Sequence, residues 1–177
     1  AEQLAAVPFM TKSMFKQLQD ENLRQKTEEI MEKLQCCGIR VLTIEDEDYP
    51  ERLKQIFDPP AVLYVRGRIK REMICIAVVG SRKASSYGLS VARELSRQLS
   101  EAGITVVSGM ARGIDSWAHK GSLDHKGGTI AVLGCGPDIT YPSENRHLME
   151  QIIQKGAVIS EYPPGTKPLP LTFQPGT

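Results

Sequence analysis

Ile76-Ala77-Val78-Val79-Gly80-Ser81-Arg82 decides how this chain is read. An apolar run ends in a glycine, a hydroxyl and a cation, and beyond Ser85-Ser86-Tyr87-Gly88 a helical pattern begins. A buried strand, a small-residue turn and a helix N-terminus together can hold a phosphate on backbone N–H groups. The pattern returns at Ile104-Thr105-Val106-Val107-Ser108-Gly109 and leads through Arg112-Gly113 into a second helix. Loops leaving neighbouring parallel strands in this way face each other across the carboxyl edge of one sheet, where open α/β folds bind ligands. A polyanion-binding site is expected there.

Outward from that stretch the chain is regular. Strands are expected near Ile74–Val79, Ile104–Val107, Thr129–Leu133 and Ala157–Ser160, with helices near Gly88–Ala102, Ile114–His125 and Glu144–Lys155. Leu89, Ala92, Leu95, Leu99 and Ala102 make an apolar stripe on the first helix, closed by Gly103. Ser143 is the expected N-cap of the third helix and Gly156 its terminator. Apolar runs spaced 25–30 residues apart mark βαβ units on a parallel sheet covered on both faces. Right-handed crossovers then bring the loops Gly80–Ser86, Ser108–Gly113 and Gly134–Ser143 to one edge. The fold class is α/β, Rossmann-like, with a mostly parallel doubly wound sheet and a small N-terminal helical appendage.

Upstream, residues 1–37 read as two short helices, the second near Glu21–Gln35, too small to bury a core alone. Ile39–Ile44 and Ala61–Val65 read as further strands, and the acidic run Glu45–Asp48 between them as a solvated turn. The expected division is a partial helical unit over residues 1–37 and a Rossmann-like unit over residues 38–177.

The 177 residues are 41% apolar and 24% charged, ordinary for a globular protein. No run approaches the roughly 20 apolar residues that span a bilayer, and no secretory signal is visible at Ala1-Glu2-Gln3-Leu4. The start at Ala1 rather than Met leads us to expect a trimmed chain or a fragment. Four cysteines without a C-x-x-C pair are expected as reduced thiols in a cytoplasmic protein. Net charge is +1, but residues 1–66 carry nine Lys+Arg against twelve Asp+Glu and residues 67–177 thirteen against nine. The second segment is therefore the one suited to an anionic partner.

The glycine loops lack the G-x-G-x-x-G spacing, and no acidic residue ends the second parallel strand to bind a ribose, so no dinucleotide cofactor is expected. The G-x-x-x-x-G-K-[ST] signature is absent, leaving ATP hydrolysis without support. Phosphate contact survives these exclusions. The candidate residues are Gly80, Ser81, Arg82 and Lys83 from the first loop, Ser108, Gly109, Arg112 and Gly113 from the second, and Arg146 from the third. Arg82 can grip a phosphate bidentately, and alternatively can pair only with Glu161. Asp115 and His119 sit four apart on one helix and, with Ser108, suggest a hydrolytic triad; a helix cap that braces the loop is the competing reading. Trp117 and Tyr141 can stack on bases, although Trp117 is expected to be packed.

At these residues the chain resembles the DprA/Smf family of DNA-processing proteins. The resemblance rests on Gly80-Ser81-Arg82 with Tyr87-Gly88, Ser108-Gly109-Met110-Ala111-Arg112-Gly113-Ile114-Asp115 with Ala118-His119, and Gly128–Gly134 with Tyr141-Pro142. Ile159-Ser160-Glu161-Tyr162-Pro163, Tyr49-Pro50 and Pro59–Tyr64 extend it to about residues 38–173. It implies a cytoplasmic protein, usually a homodimer, that binds single-stranded DNA without catalysis of its own. Such proteins protect incoming strands in natural transformation and load the RecA recombinase. It also implies that Arg82 lies in the DNA pocket and that residues 1–37 end a SAM-like helical domain. Two departures stand out: Ser143 occupies a position often held by lysine, and Leu171–Thr177 replaces an Arg-Asn-Arg segment, so the chain is expected to stop short of the family's C-terminal part. The alternative reading is a Rossmann-like enzyme that binds nucleotides or cleaves nucleoside monophosphates.

Overall fold

The structure is a computed structural model that describes Thr11, Ser13 and residues 21–168. Its elements run α1 (Glu21–Cys36), β1 (Arg40–Thr43), α2 (Glu51–Lys54), β2 (Val62–Gly67), β3 (Cys75–Ala77), α3 (Ser86–Glu101), β4 (Thr105–Ser108), α4 (Ile114–Ser122), β5 (Thr129–Leu133), α5 (Arg146–Lys155) and β6 (Ala157–Ser160). A 3-10 turn over Ser143–Asn145 precedes α5. The first expected helix of residues 1–20 and the departure at Leu171–Thr177 lie outside the described residues.

Six strands form one sheet in the order β1-β2-β6-β5-β4-β3. β3, β4, β5 and β6 are mutually parallel, whereas β1 and β2 join antiparallel beside β6. Alternation along β5 sorts the two cores. Ala131 and Leu133 point to the face where Leu148, Met149 and Ile152 of α5 pack with Met110, Leu123 and Val158. Ile130 points to the opposite face with Leu42, Tyr49, Leu63, Val65, Ile69 and Ala157. Because β3 to β6 advance in one direction across the sheet, right-handed crossovers place α3, α4 and α5 on the same face. On the other face, α2 supplies Leu53, and beside it an apolar hollow remains over Cys75, Val107, Val132 and Ile159.

Several local expectations are corrected. Leu95 of the supposed stripe is 47% exposed, and the buried residues of α3 are Ala92, Ser96 and Ser100. Small side chains are needed because α3 lies tight against α4: a Cβ on Gly121 would stand 2.2 Å from the Arg93 carbonyl oxygen. Ser100 Oγ donates to Ser122 O at 3.1 Å, tying the pair further. Ser143 does not cap α5; it opens the 3-10 turn, and Asn145 stands at the helix start with no side-chain cap bond. The acidic run forms a turn in which Asp46 Oδ2 accepts from Thr43 N and Oγ1, and those bonds hold its carboxyl below its ordinary value. Trp117 is half-buried, with the cations of Arg93 and Lys120 over its ring at 5.9 and 5.2 Å.

Two buried polar groups fix how the loops sit. Asp115, 6% exposed in the first turn of α4, accepts from Gly109 N at 3.2 Å, Ala111 N at 3.4 Å and Gly80 N at 3.4 Å. One carboxylate thus ties the β3 loop to the β4 loop, where the helix macrodipole also favours negative charge. Four residues on, His119 is fully buried, and its Nδ1 lies 2.7 Å from Thr129 Oγ1. Thr129 donates its hydroxyl proton to Val106 O at 2.8 Å, so it must accept from His119 Nδ1–H. His119 Nε2 is then a bare acceptor in the core, with no hydrogen-bond partner. Burial pushes the His119 pKa down to about 3.

Asp115→Asn replaces an accepting oxygen with an NH2 that cannot accept, so it should cost about 1–3 kcal/mol, read as a lower urea midpoint at unchanged slope. For His119 the sign follows from the depressed folded value. Between about 6.5 and about 3 the unfolded chain takes a proton that the folded chain refuses, so stability falls as pH drops through that window, by about 1.4 kcal/mol per pH unit. Melts at about pH 7.5 and about pH 5.5 should show this loss, and His119→Asn, which cannot charge, should flatten it.

Candidate nucleic-acid interface

Three strand-to-helix loops meet at the carboxyl edge of the parallel strands, and glycine permits the closest approach. Gly113 has φ 78°, and a Cβ there would stand 2.2 Å from Ser81 O and 3.0 Å from Arg82 Cα. Only glycine lets the second loop press on the backbone of the first at that point. Ile114 N donates to Ser81 O at 3.2 Å across the same contact. Met110, fully buried with φ 61°, is the one non-glycine residue with positive φ among those described. Its carbonyl accepts from Asn145 Nδ2 at 2.9 Å, and the same amide donates to Ser116 Oγ at 2.9 Å. Asn145 therefore ties the third loop to the second as Asp115 ties the second to the first.

The braces bring two of the expected arginines together. Arg82 and Arg112 line one cavity of about 220 Å³ with Ala111, Thr140, Tyr141, Pro142 and Ser143. Both arginines are exposed, as is Lys83 beside them. Tyr141, 44% exposed, gives the wall an aromatic surface. Cationic forks beside an aromatic ring suit a strand whose phosphates and bases must both be held.

Other expected residues are placed differently. Gly80 N, expected beside a phosphate, donates to Asp115 instead, as does the N–H of Gly109. Ser108, 3% exposed, donates its hydroxyl to Val78 O at 2.7 Å and so belongs to the interior. Ser81 Oγ accepts from Lys83 N at 3.1 Å and closes the turn that presents Arg82. Arg146 lines a separate cavity of about 490 Å³ with Arg66, Asp138, Thr140 and Glu150. In that cavity Arg66 Nη1 donates to Pro137 O at 3.2 Å, while its buried Nε has no partner. The triad reading loses its geometry, since Asp115 binds backbone amides, His119 binds Thr129 and Ser108 binds Val78.

Glu144 is the residue that reading the sequence passed over. It accepts from Arg112 Nε at 2.6 Å and from Arg112 Nη2 at 2.8 Å. The guanidinium holds the Glu144 carboxyl below its ordinary value, and Glu144 raises that of Arg112. Glu144 follows Tyr141-Pro142-Ser143 of the cavity wall; periodicity marks it only as the start of the third helix, whereas the structure sets it in a single turn of 3-10 helix before α5. Arg66 was missed for another reason: it falls just past the expected strand Ala61–Val65, and the structure includes it in β2.

Comparison with known proteins places this architecture. The sequence profile of the DNA recombination-mediator protein A family matches residues 40–175. The Protein Smf of Synechocystis is 42% identical over 145 residues, covering 79% of this chain and 36% of that protein. The DNA processing protein DprA of Bacillus subtilis is 38% identical over 133 residues, 74% of this chain and 45% of its own length. The X-ray structure of DprA from Streptococcus pneumoniae superposes with a TM-score of 0.76 at 32% identity, covering 94% of this chain and 57% of that one. DprA from Helicobacter pylori, described for its single-stranded DNA binding mode, superposes at 0.66 with 30% identity, over 76% of this chain and 61% of that one. The chain thus spans less than half the length of these two curated relatives. With the strand order, the loop edge and the profile in agreement, the chain belongs to the DNA recombination-mediator protein A family.

Proposed function

We propose that this chain is a single-stranded DNA-binding module that grips the phosphate backbone at the carboxyl edge of its parallel strands, with Arg82, Lys83 and Arg112 as the cations. The observation that carries the reading is the shared cavity of Arg82 and Arg112 beside Tyr141. The single-stranded DNA binding described for the Helicobacter pylori relative supports it. In the whole protein we place this module in a homodimer that shields incoming strands in natural transformation and hands them to the RecA recombinase in the cytoplasm, with no catalysis of its own. Residues 1–37 belong on this reading to a helical domain distinct from the sheet. Gly80, Ser81, Ser108, Gly109 and Gly113 shape and brace the site, and Arg146 with Arg66 offers a second cationic position next to it.

The alternative enzyme reading draws on the same loops together with Asp115, His119 and Glu161. Asp115 is committed to backbone amides, and His119 is sealed in the core with a pKa of about 3. A general base must reach the reacting proton within about 3 Å, and a sealed imidazole cannot.

Fluorescence anisotropy with labelled oligo-dT at two salt concentrations tests the proposal. Arg82→Ala should weaken binding about tenfold or more and make the log–log salt slope shallower by about 0.7, one phosphate contact. Equal affinity for parent and variant would remove Arg82 from the interface.

A further inference from the structure

The cation that completes the cavity is already held by an anion of the chain. Arg112 meets Glu144 through Nε and Nη2, at 2.6 and 2.8 Å. This is the parallel two-bond fork that a phosphate uses on a guanidinium. The side chains are 63% and 53% exposed, so solvent screens the pair and the contact is an exchangeable one. Glu144 sits in the turn that Ser143 opens, and Ser143 walls the cavity with the preceding Tyr141 and Pro142. A phosphate entering beside Arg112 must therefore displace this carboxylate or lie against it.

We infer that Glu144 is an internal phosphate mimic that sets the affinity threshold of the site. The inference rests on the DNA-binding reading above and deepens it. With the carboxylate in place, the Arg112 end of the cavity is close to neutral, and a lone phosphate gains little over the bond it replaces. A strand reaching Arg82, Lys83 and Arg112 together makes several charge-assisted contacts at once and displaces the carboxylate. Glu144 lowers the affinity of every phosphate ligand by a similar factor, so only a polyanion that engages the neighbouring cations clears the threshold. Exposed pairs of this kind are worth at most a factor of about five, which bounds the expected effect.

The test compares the parent chain with Glu144→Gln, Arg112→Ala and the double variant, by anisotropy on labelled oligo-dT across a salt series, with melting curves to match the fold of each. Glu144→Gln keeps the side-chain shape and removes the charge. It should tighten binding about three- to fivefold at low salt and steepen the log–log salt slope by about 0.7. In the Arg112→Ala background the same change should have no effect. Unchanged or weaker binding by Glu144→Gln, with Arg112→Ala weakening it, overturns the threshold role and makes Glu144 a residue that positions Arg112. Unchanged binding by both Arg82→Ala and Arg112→Ala instead defeats the DNA-binding reading of the cavity itself.

Discussion

A single buried carboxylate, Asp115, determines how this edge of the sheet is built. It accepts from the backbone of Gly80 in one loop and of Gly109 and Ala111 in the next. Buried amides must be paired, and an isolated buried carboxylate would be costly; here each satisfies the other. Glycine at 109 suits the arrangement, since a Cβ there would stand 2.9 Å from Asp115 Oδ2 and push on the brace. It also relies on the close fit at Gly113, which sets the second loop on the backbone of Ser81 and Arg82. The arginines are neighbours because the backbones beneath them are tied.

This division of labour separates holding from binding. The polar groups nearest the strands are turned inward: Ser108 donates to Val78 O, Asp115 accepts from backbone amides, and His119 bonds Thr129, which donates to Val106 O. The groups left at the rim are long, charged side chains, which adapt to a flexible polymer better than a rigid cradle of amides would. The site differs in this from a nucleotide cleft, in which helix N-terminal amides hold a pyrophosphate. On the proposed reading an extended strand needs cations spaced along a path and an aromatic surface for its bases; Arg82, Arg112 and Tyr141 line one cavity together.

The two faces of the sheet are unequal. Three helices cover one face, whereas on the other Val132 and the edge residue Val79 are 42% and 67% exposed. The part left uncovered by the described residues lies toward β3, the edge strand from which the Gly80 loop departs. The covered part, around Tyr49, Leu63 and Val65, is sealed by α2 and the chain before it. Among the described residues the backbone at the candidate site is therefore tied by the loop braces on the helix side of the sheet.

Sequence periodicity alone determined the parallel strands, the three crossover helices and the edge where their loops meet, because the strands of a parallel sheet read as short apolar runs and each crossover has a fixed hand. The residue types also placed Arg82 and Arg112 on adjacent loops and marked Asp115 as a possible brace. Tertiary structure decided what each group faces. It turned the Gly80 and Gly109 amides inward, sent Arg146 to a different cavity with Arg66, and set Glu144 against Arg112 across 32 residues of chain. It also showed that α3 and α4 meet through serine and glycine rather than leucine, since their separation leaves no room for a Cβ at Gly121. Pattern reports which residues prefer burial; which partner occupies a donor or a charge depends on distances that exist only once the loops have packed.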